Sequence, residues 1–386
     1  MAEHRKIKVG MVGGGGPGNF FGGPHRTAII MDNSAELTAG ALRSTAQGSI
    51  DEAKRLFFTR GYPDYQTMMT EEAKLPLGER IDYVTIVTPN HQHFGPAKLA
   101  LENGFGVLCE KPLTLTLEES QELAALTKST GLPFIVAYTY TGFPMVMLAK
   151  EMVQQGDLGE IRKVEGWYPQ GWLAGRTEDA GVQQAEWRVD PSKSGASGCG
   201  GDIGTHAYEF VRFVAGLTAT EVSGRLHTFV QNRKLDDDFS VFARLNNGGI
   251  ATVTASQVTI GSLNDNGFRV IGTKGTAHWN ITDHLQLYVR KDGQPEQVYR
   301  LGGDAMPDSI SPYLRLPGMH PEGFHEALAN LHKSIQLSLR AKNGESVPTP
   351  FKHPDVVDGA AGMAFLEASV ESSNNDGAWT KVVQVD

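Results

Sequence analysis

Six residues near the amino terminus constrain this chain more than any others: Gly13-Gly14-Gly15-Gly16-Pro17-Gly18, directly behind the apolar run Ile7 to Val12. Read as G-x-G-x-x-G on Gly13, Gly15 and Gly18, they form the turn from a strand into a helix that holds a dinucleotide. The first glycine permits the tight turn, the second lets backbone approach a pyrophosphate, and the third lets helix and strand pack closely. The pyrophosphate would sit on the N–H groups of the helix start, with Asn19 and Phe20 as neighbouring contacts. Four glycines in a row also suit an ordinary turn, and it is the strand-turn-helix position that favours the dinucleotide reading.

The following sequence supports that fold. Apolar runs at Leu37 to Leu42, Tyr83 to Val87, Gly106 to Cys109 and Pro133 to Tyr138 alternate with helical patterns at Ser49 to Thr59, Tyr65 to Ala73, Gln92 to Asn103 and Leu117 to Thr130. This alternation predicts parallel strands joined by crossover helices, with Gly104 and Gly131 as helix stops. After Thr141 the pattern changes. A helix from Pro144 to Gln155, a strand from Ile161 to Trp167 and a helix from Ile203 to Ala215 precede strand-like runs broken at Asn246-Asn247-Gly248, Thr273-Lys274-Gly275 and Lys291-Asp292-Gly293, which are hairpin signals. Two helices, Glu322 to Lys342 and Asp355 to Glu371, follow. The expectation is an α/β Rossmann domain with a doubly wound parallel sheet over residues 1–140, and an α+β domain with a large, mainly antiparallel open sheet over 141–386.

The second strand ends Ala41-Leu42-Arg43-Ser44-Thr45, without the acid that usually holds the adenine ribose. Arg43 and Ser44 could therefore meet the 2′-phosphate of NADP, or Arg43 could lie against adenine, so these residues leave NAD and NADP open. Composition narrows the partners. A formal net charge of -9 disfavours a nucleic-acid binder. No segment approaches the roughly 20 apolar residues of a membrane span. Two cysteines in unrelated contexts, Cys109 and Cys199, suggest neither a disulfide framework nor a thiolate metal site, which points to the cytoplasm.

Three further motifs follow in order: Thr88-Pro89-Asn90 with His93 after the Tyr83 to Val87 strand, Glu110-Lys111-Pro112 after the Gly106 to Cys109 strand, and Gly201-Asp202-Ile203-Gly204-Thr205-His206, with Trp187-Arg188 shortly before it. Taken with the glycine loop, the chain resembles the Gfo/Idh/MocA oxidoreductases, the family of glucose-fructose oxidoreductase and inositol dehydrogenase, over nearly its whole length. The resemblance implies that Thr88, Pro89, Asn90, His93, Glu110, Lys111, Trp187 and Arg188 contact the cofactor, NAD on family grounds. It also implies a catalytic Lys111, Asp202 and His206. Taken singly, Lys111 could be a surface ion-pair partner, Asp202 a helix cap and His206 a core histidine. A metal site formed by the H-x-H pair His91 and His93 with Asp202 and His206 is the weaker reading, and no metal is expected, because hydride transfer needs none.

Trp167, Tyr168, Gln170, Trp172, Arg176, Trp187 and Arg188 crowd one segment. Aromatic faces stack on the C–H faces of sugar rings, while Gln and Arg bind hydroxyl or anionic groups. The expected substrate contacts are Gln170, Trp172, Arg176, Arg188, Asp202 and His206. Tyr138, Tyr140 and His320 are added by the resemblance. The expected function is an NAD(P)-dependent oxidoreductase acting on a secondary alcohol of a sugar, sugar derivative, glycoside or cyclic polyol. Two alternatives are an NAD-dependent glycosidase that oxidises, eliminates, hydrates and re-reduces, and a nonenzymatic nucleotide-binding protein. Val253, Val258, Ile260, Val270 and Ile271 put apolar residues on both presumed sheet faces, so with the resemblance a homodimer or homotetramer is expected.

Overall fold

The computed structural model describes residues 5–17, 19–304 and 306–385. Two compact units emerge, and the chain crosses between them more than once. The first comprises Met1–Thr114, Glu118–Gly142 and Phe324–Val356; the second comprises Leu115–Leu117, Phe143–Gly323 and Val357–Asp386. A single boundary at 140 therefore misses the return of Phe324–Val356 to the first unit. The amphipathic pattern of that segment shows a buried face without saying which sheet covers it.

The first unit holds a six-stranded sheet of β1 (Ile7–Gly13), β2 (Ala35–Ala41), β3 (Arg60–Gly61), β4 (Tyr83–Val87), β5 (Gly106–Cys109) and β6 (Phe134–Val136) in the order β3-β2-β1-β4-β5-β6. All its ladders are parallel. Every residue of β4 and β5 is buried, which is why both read as unbroken apolar runs rather than alternating ones. β3 has only two residues and carries no pattern of its own. The helix Gly22–Ile30 and the 19-residue helix Phe324–Lys342 bring Ile29, Leu331, Ile335 and Leu339 against Ile7, Val9, Tyr83 and Leu108. Gly104 and Gly131 end their helices with positive φ, as expected of glycine in that position.

The second unit is built on a nine-stranded sheet. Its strands are β7 (Ile161–Pro169), β8 (Ala219–His227), β9 (Asp238–Leu245), β10 (Ile250–Ser256), β11 (Gly267–Gly272), β12 (Gly275–Asn280), β13 (Gln286–Lys291), β14 (Gln297–Arg300) and β15 (Thr380–Lys381), ordered β14-β13-β12-β11-β7-β10-β9-β8-β15. Only β7 and β10 pair in parallel; the three glycine-marked hairpins join β9 to β10, β11 to β12 and β13 to β14. The helix Thr205–Ala215 crosses β7 at Gly166, where an added β-carbon would come within 2.2 Å of the Ala207 carbonyl oxygen. That close approach seats His206 over the sheet. Phe210, Phe268 and Trp279 pack beneath it.

The outer face of this sheet differs from the expectation of an apolar one. Val253 and Val270 are fully buried, Val258 and Ile271 are partly covered, and Ile260 stands exposed in the loop after β10. Outward positions instead carry the ion pairs Lys163–Glu165 and Arg269–Glu165, beside exposed Phe242 and Ile250. A continuous apolar run could not reveal that Val253 and Val270 share the inward parity.

Candidate active site

The glycine loop ends β1 at the point where the strand order reverses between β1 and β4, the place where open parallel sheets bind ligands. Gly13 pairs with Val87, and a β-carbon there would lie 2.6 Å from both the Val87 carbonyl oxygen and the Thr88 methyl group. Gly13, Gly14 and Gly16 all take positive φ. The turn therefore demands glycine and leaves bare backbone beside Thr88-Pro89-Asn90, a cradle that fits a dinucleotide.

Two details depart from the motif as read. Gly18 lies outside the described residues, and the helix begins only at Gly22. Gly22 makes the close helix–strand approach: a β-carbon there would sit 1.8 Å from the Gly14 carbonyl oxygen. Asn19 Oδ1 accepts from Phe21 N (3.1 Å) and Gly22 N (2.6 Å), so this side chain caps the helix start, while Phe20 is exposed. Gly15 turns inward, and its β-carbon would meet Leu42 O at 2.8 Å and Glu52 Cγ at 2.9 Å. A valine there would collide with the end of β2 before it met a pyrophosphate.

Glu52 is a part of the loop that the sequence did not single out. It accepts from Gly16 N at 2.8 Å and is gripped by both Arg55 Nε and Nη2. The Arg55 hydrogen bonds, helped by the Gly16 N–H and the Arg43 charge, hold its pKa at about 2. A carboxyl held below its ordinary range stabilises the fold above its unfolded pKa, and this contribution is lost as pH falls toward the folded value. Between roughly pH 4.3, the ordinary glutamate value, and about pH 2, wild-type melting temperature should fall more steeply than that of Glu52→Gln. Parallel curves would show that the carboxylate does not tie down the loop. Arg43 and Ser44 are exposed, with the Arg43 guanidinium beside Gly16.

His93 does not present itself as a contact surface. It is buried, with Nδ1 2.8 Å from the Pro112 carbonyl oxygen and Nε2 2.9 Å from that of Thr88. It thereby ties the Thr88-Pro89-Asn90 turn to the Glu110-Lys111-Pro112 turn. Asn90 is buried in the first turn, and Lys111 is half-buried in the second. Tyr138 and Tyr140 belong to the same unit, just beyond β6, and both are buried; the Tyr140 ring packs edge-on to Phe324.

In the second unit, Asp202 lies in a wide π-helical turn, Gly200–Gly204, rather than in the first turn of an α-helix. Asp236 holds this turn by accepting from Gly198 N (2.8 Å) and Gly200 N (2.9 Å), while Gly200 fits against Phe239. Asp202 Oδ2 accepts from Arg188 Nε at 3.0 Å and Gln257 Nε2 at 2.9 Å. Arg188 is buried, bonds Gln184 twice, and lies 4.2 Å from the Trp187 ring centroid and 5.8 Å from that of Trp172. Both Trp187 and Arg188, expected at the cofactor, are thus built into the surroundings of Asp202. His206 is buried with its ring 5.8 Å from that of Tyr168. From Tyr168 a polar file continues: its hydroxyl bonds Asn264, Gln170 Nε2 donates to Tyr168 at 3.2 Å, and Trp172 Nε1 donates to Gln170 Oε1 at 3.0 Å.

Two of the expected substrate contacts make bonds outside this cluster. Arg176 pairs with Asp179 and donates to the Gln231 carbonyl, clamping two loops. His320 is exposed, with Nδ1 3.0 Å from the Pro317 carbonyl oxygen. Cys199 is fully buried, and burial beside Asp236 pushes its thiol pKa well up.

Residues 7–138 match the model of an oxidoreductase family with an NAD-binding Rossmann fold, and residues 146–278 match the GFO/IDH/MocA C-terminal domain. The chain is 33% identical to YfiI, an uncharacterized oxidoreductase of Bacillus subtilis, over 98% of its own length and 97% of that protein's. It belongs to the Gfo/Idh/MocA oxidoreductase family. Within that family, the first unit carries the NAD-binding Rossmann domain. An inositol dehydrogenase homolog of Azotobacter vinelandii, solved with NAD+, is similar in structure, with a TM-score of 0.89, 30% identity, and coverage of 98% of this chain and 97% of that one. A levoglucosan dehydrogenase of Pseudarthrobacter phenanthrenivorans is 28% identical over 77% of this chain and 80% of its own.

Gln257, Asn264 and Asp236 went unnoticed in the sequence, since a lone amide or acid between strands carries no signal. Glu52 could have been found from its place on the helix behind the Arg43 turn.

Proposed function

We propose that this protein is an NAD-dependent dehydrogenase of a secondary alcohol on a sugar, sugar derivative, glycoside or cyclic polyol. The observation that carries the reading is the cluster of His206, Asp202, Arg188 and Gln257 beside the hydrogen-bonded file Tyr168–Gln170–Trp172. It sets a proton acceptor next to aromatic faces and amides, the chemistry that recognises a hydroxylated ring. The naming of relatives as levoglucosan and scyllo-inositol dehydrogenases supports the same substrate class.

Bound NAD supplies the hydride acceptor. His206 takes the hydroxyl proton, Asp202 supplies a negative charge near the resulting imidazolium, and Arg188 with Gln257 keeps that carboxylate in place. Lys111 donates to the developing alkoxide. Incubating the enzyme with NAD and a panel of sugars, glycosides and polyols should form NADH with at least one. Release of aglycone without net NADH would replace this reading with the glycosidase, and no turnover across the panel would return it to a nucleotide-binding protein.

Trp172 and Arg188 should separate by kinetic constant. Losing one ring stack in Trp172→Ala should raise substrate KM roughly ten-fold, with kcat nearly kept. Arg188→Ala strips a buried carboxylate of its charged partner and should lower kcat as well. An unchanged substrate KM in Trp172→Ala would take this wall out of the binding site.

For assembly we propose a closed homodimer or homotetramer using the outer face of the nine-stranded sheet. Phe242 and Ile250 supply exposed apolar surface there, and the Glu165 ion pairs can form symmetry-related contacts. Light scattering at micromolar concentration should exceed the 41.8 kDa monomer mass; that mass alone would reject the assembly. Among the described residues no helix is long and apolar enough to cross a membrane, and both cysteines are buried and free of disulfides. The proposed location is the cytoplasm.

A further inference from the structure

A file of buried polar side chains runs through the first unit and takes no part in the mechanism above. Glu110 Oε1 lies 2.9 Å from His25 Nε2, His25 Nδ1 lies 3.0 Å from His332 Nε2, and His332 Nδ1 lies 2.9 Å from the Tyr83 hydroxyl. Gln336 Nε2 donates to that hydroxyl at 3.5 Å, and its Oε1 accepts from Ser34. His25, His332 and Tyr83 are fully buried. They come from four separate elements together with Glu110, which closes β5 immediately before Lys111.

Chemistry fixes the Glu110 end of the file. Burial pushes the Glu110 pKa up, but the hydrogen bond and Coulombic pull of His25, followed by the Lys111 charge, outweigh it, and the carboxyl is held below its ordinary range. An ionised carboxylate only accepts, so His25 must donate from Nε2. Burial pushes the His332 pKa well down, so that ring is neutral. One proton joins His25 Nδ1 to His332 Nε2, and one joins His332 Nδ1 to the Tyr83 hydroxyl. Each donor meets one acceptor, ending on Glu110. The other carboxylate oxygen, Oε2, accepts from Lys111 N at 3.2 Å. Fully satisfied buried networks of this kind lock their members in one geometry.

We propose that Tyr83, His332 and His25 form a continuous hydrogen-bond chain that holds Glu110 as a fixed carboxylate beside Lys111, and so act as positioning residues for the Lys111 ammonium. The functional meaning rests on the role proposed for Lys111; the chain itself does not.

The test uses the full-length enzyme and needs no substrate. Acetic anhydride labelling of Lys111, read by mass spectrometry, should be faster by roughly three- to ten-fold in Glu110→Gln, because the turn that carries Lys111 is then no longer held by a fixed carboxylate. His332→Gln should accelerate labelling too, and the double variant no further than Glu110→Gln alone, since both act through one carboxylate. Tyr83→Phe, which removes a single oxygen, supplies the same comparison should His332→Gln fail to fold. Unchanged labelling in Glu110→Gln, or additive effects in the double variant, would overturn the proposal. Undiminished turnover in Lys111→Ala would instead remove the catalytic reading and leave the chain standing.

Discussion

His206→Ala is expected to lower turnover by about 10²- to 10⁴-fold, the usual contribution of one positioned proton transfer, and Lys111→Ala by a comparable factor. The two losses have different origins. His206 is buried in the second unit, against Tyr168 and on the helix that follows the turn carrying Asp202. Its removal deletes the proposed proton acceptor while leaving the Arg188–Asp202–Gln257 bonds without a direct change. Lys111 stands two residues beyond β5 of the first unit, where its loss removes a cation from the end of the parallel sheet. NAD binding should survive in His206→Ala, because the NAD-binding domain spans residues 7–138. The measurement is kcat under conditions where a deuterated substrate shows that hydride transfer limits the rate. Near-normal kcat in both variants under those conditions would sink the mechanism, whereas loss in only one would identify which group carries the proton.

Much of the parallel sheet was legible because buried strands and crossover helices leave strong local patterns. β4, β5 and the helices Tyr65–Ala73 and Leu117–Thr130 coincide with their expected bounds. What escaped reading depends on contacts far apart in sequence. Whether Val253 faces inward is decided by strand parity against Val164 and Val270, which no apolar run expresses. The π-turn at Asp202 arises because Asp236, more than thirty residues away, captures two glycine N–H groups. The long helix Phe324–Lys342 joins the first unit because its Leu331 and Ile335 fit Val9 and Tyr83, although its own sequence says only that one face is apolar. Likewise, sequence analysis picked out residues without showing the structural bonds they make: His93 bridges two backbone turns, Asn19 caps a helix, and Arg176 clamps a loop.

The glycine that the motif did not include should prove the least replaceable. In Gly22→Ala the new methyl would lie 1.8 Å from the Gly14 carbonyl oxygen and 2.6 Å from its carbon, both backbone atoms, so no side chain can swing away to relieve it. The helix Gly22–Ile30 must then move off β1, and with it His25, whose Nε2 reaches Glu110. Overpacking of this kind costs ~1–3 kcal/mol and occasionally more; a backbone collision belongs at the upper end. Gly16→Ala supplies the contrast. Its φ of +81° is strained for alanine, by ~1–2 kcal/mol, but its methyl would meet only the mobile guanidinium of Arg43 at 3.4 Å. Calorimetry should therefore find NAD affinity reduced by at least roughly ten-fold in Gly22→Ala, since small displacements of a binding geometry carry penalties of that size or larger, together with a lower melting temperature. Gly16→Ala should keep the helix seated and lose less on both measures. Wild-type affinity and melting temperature in Gly22→Ala would show that the helix has room to move, and that close packing at Gly14 does not shape the NAD cradle.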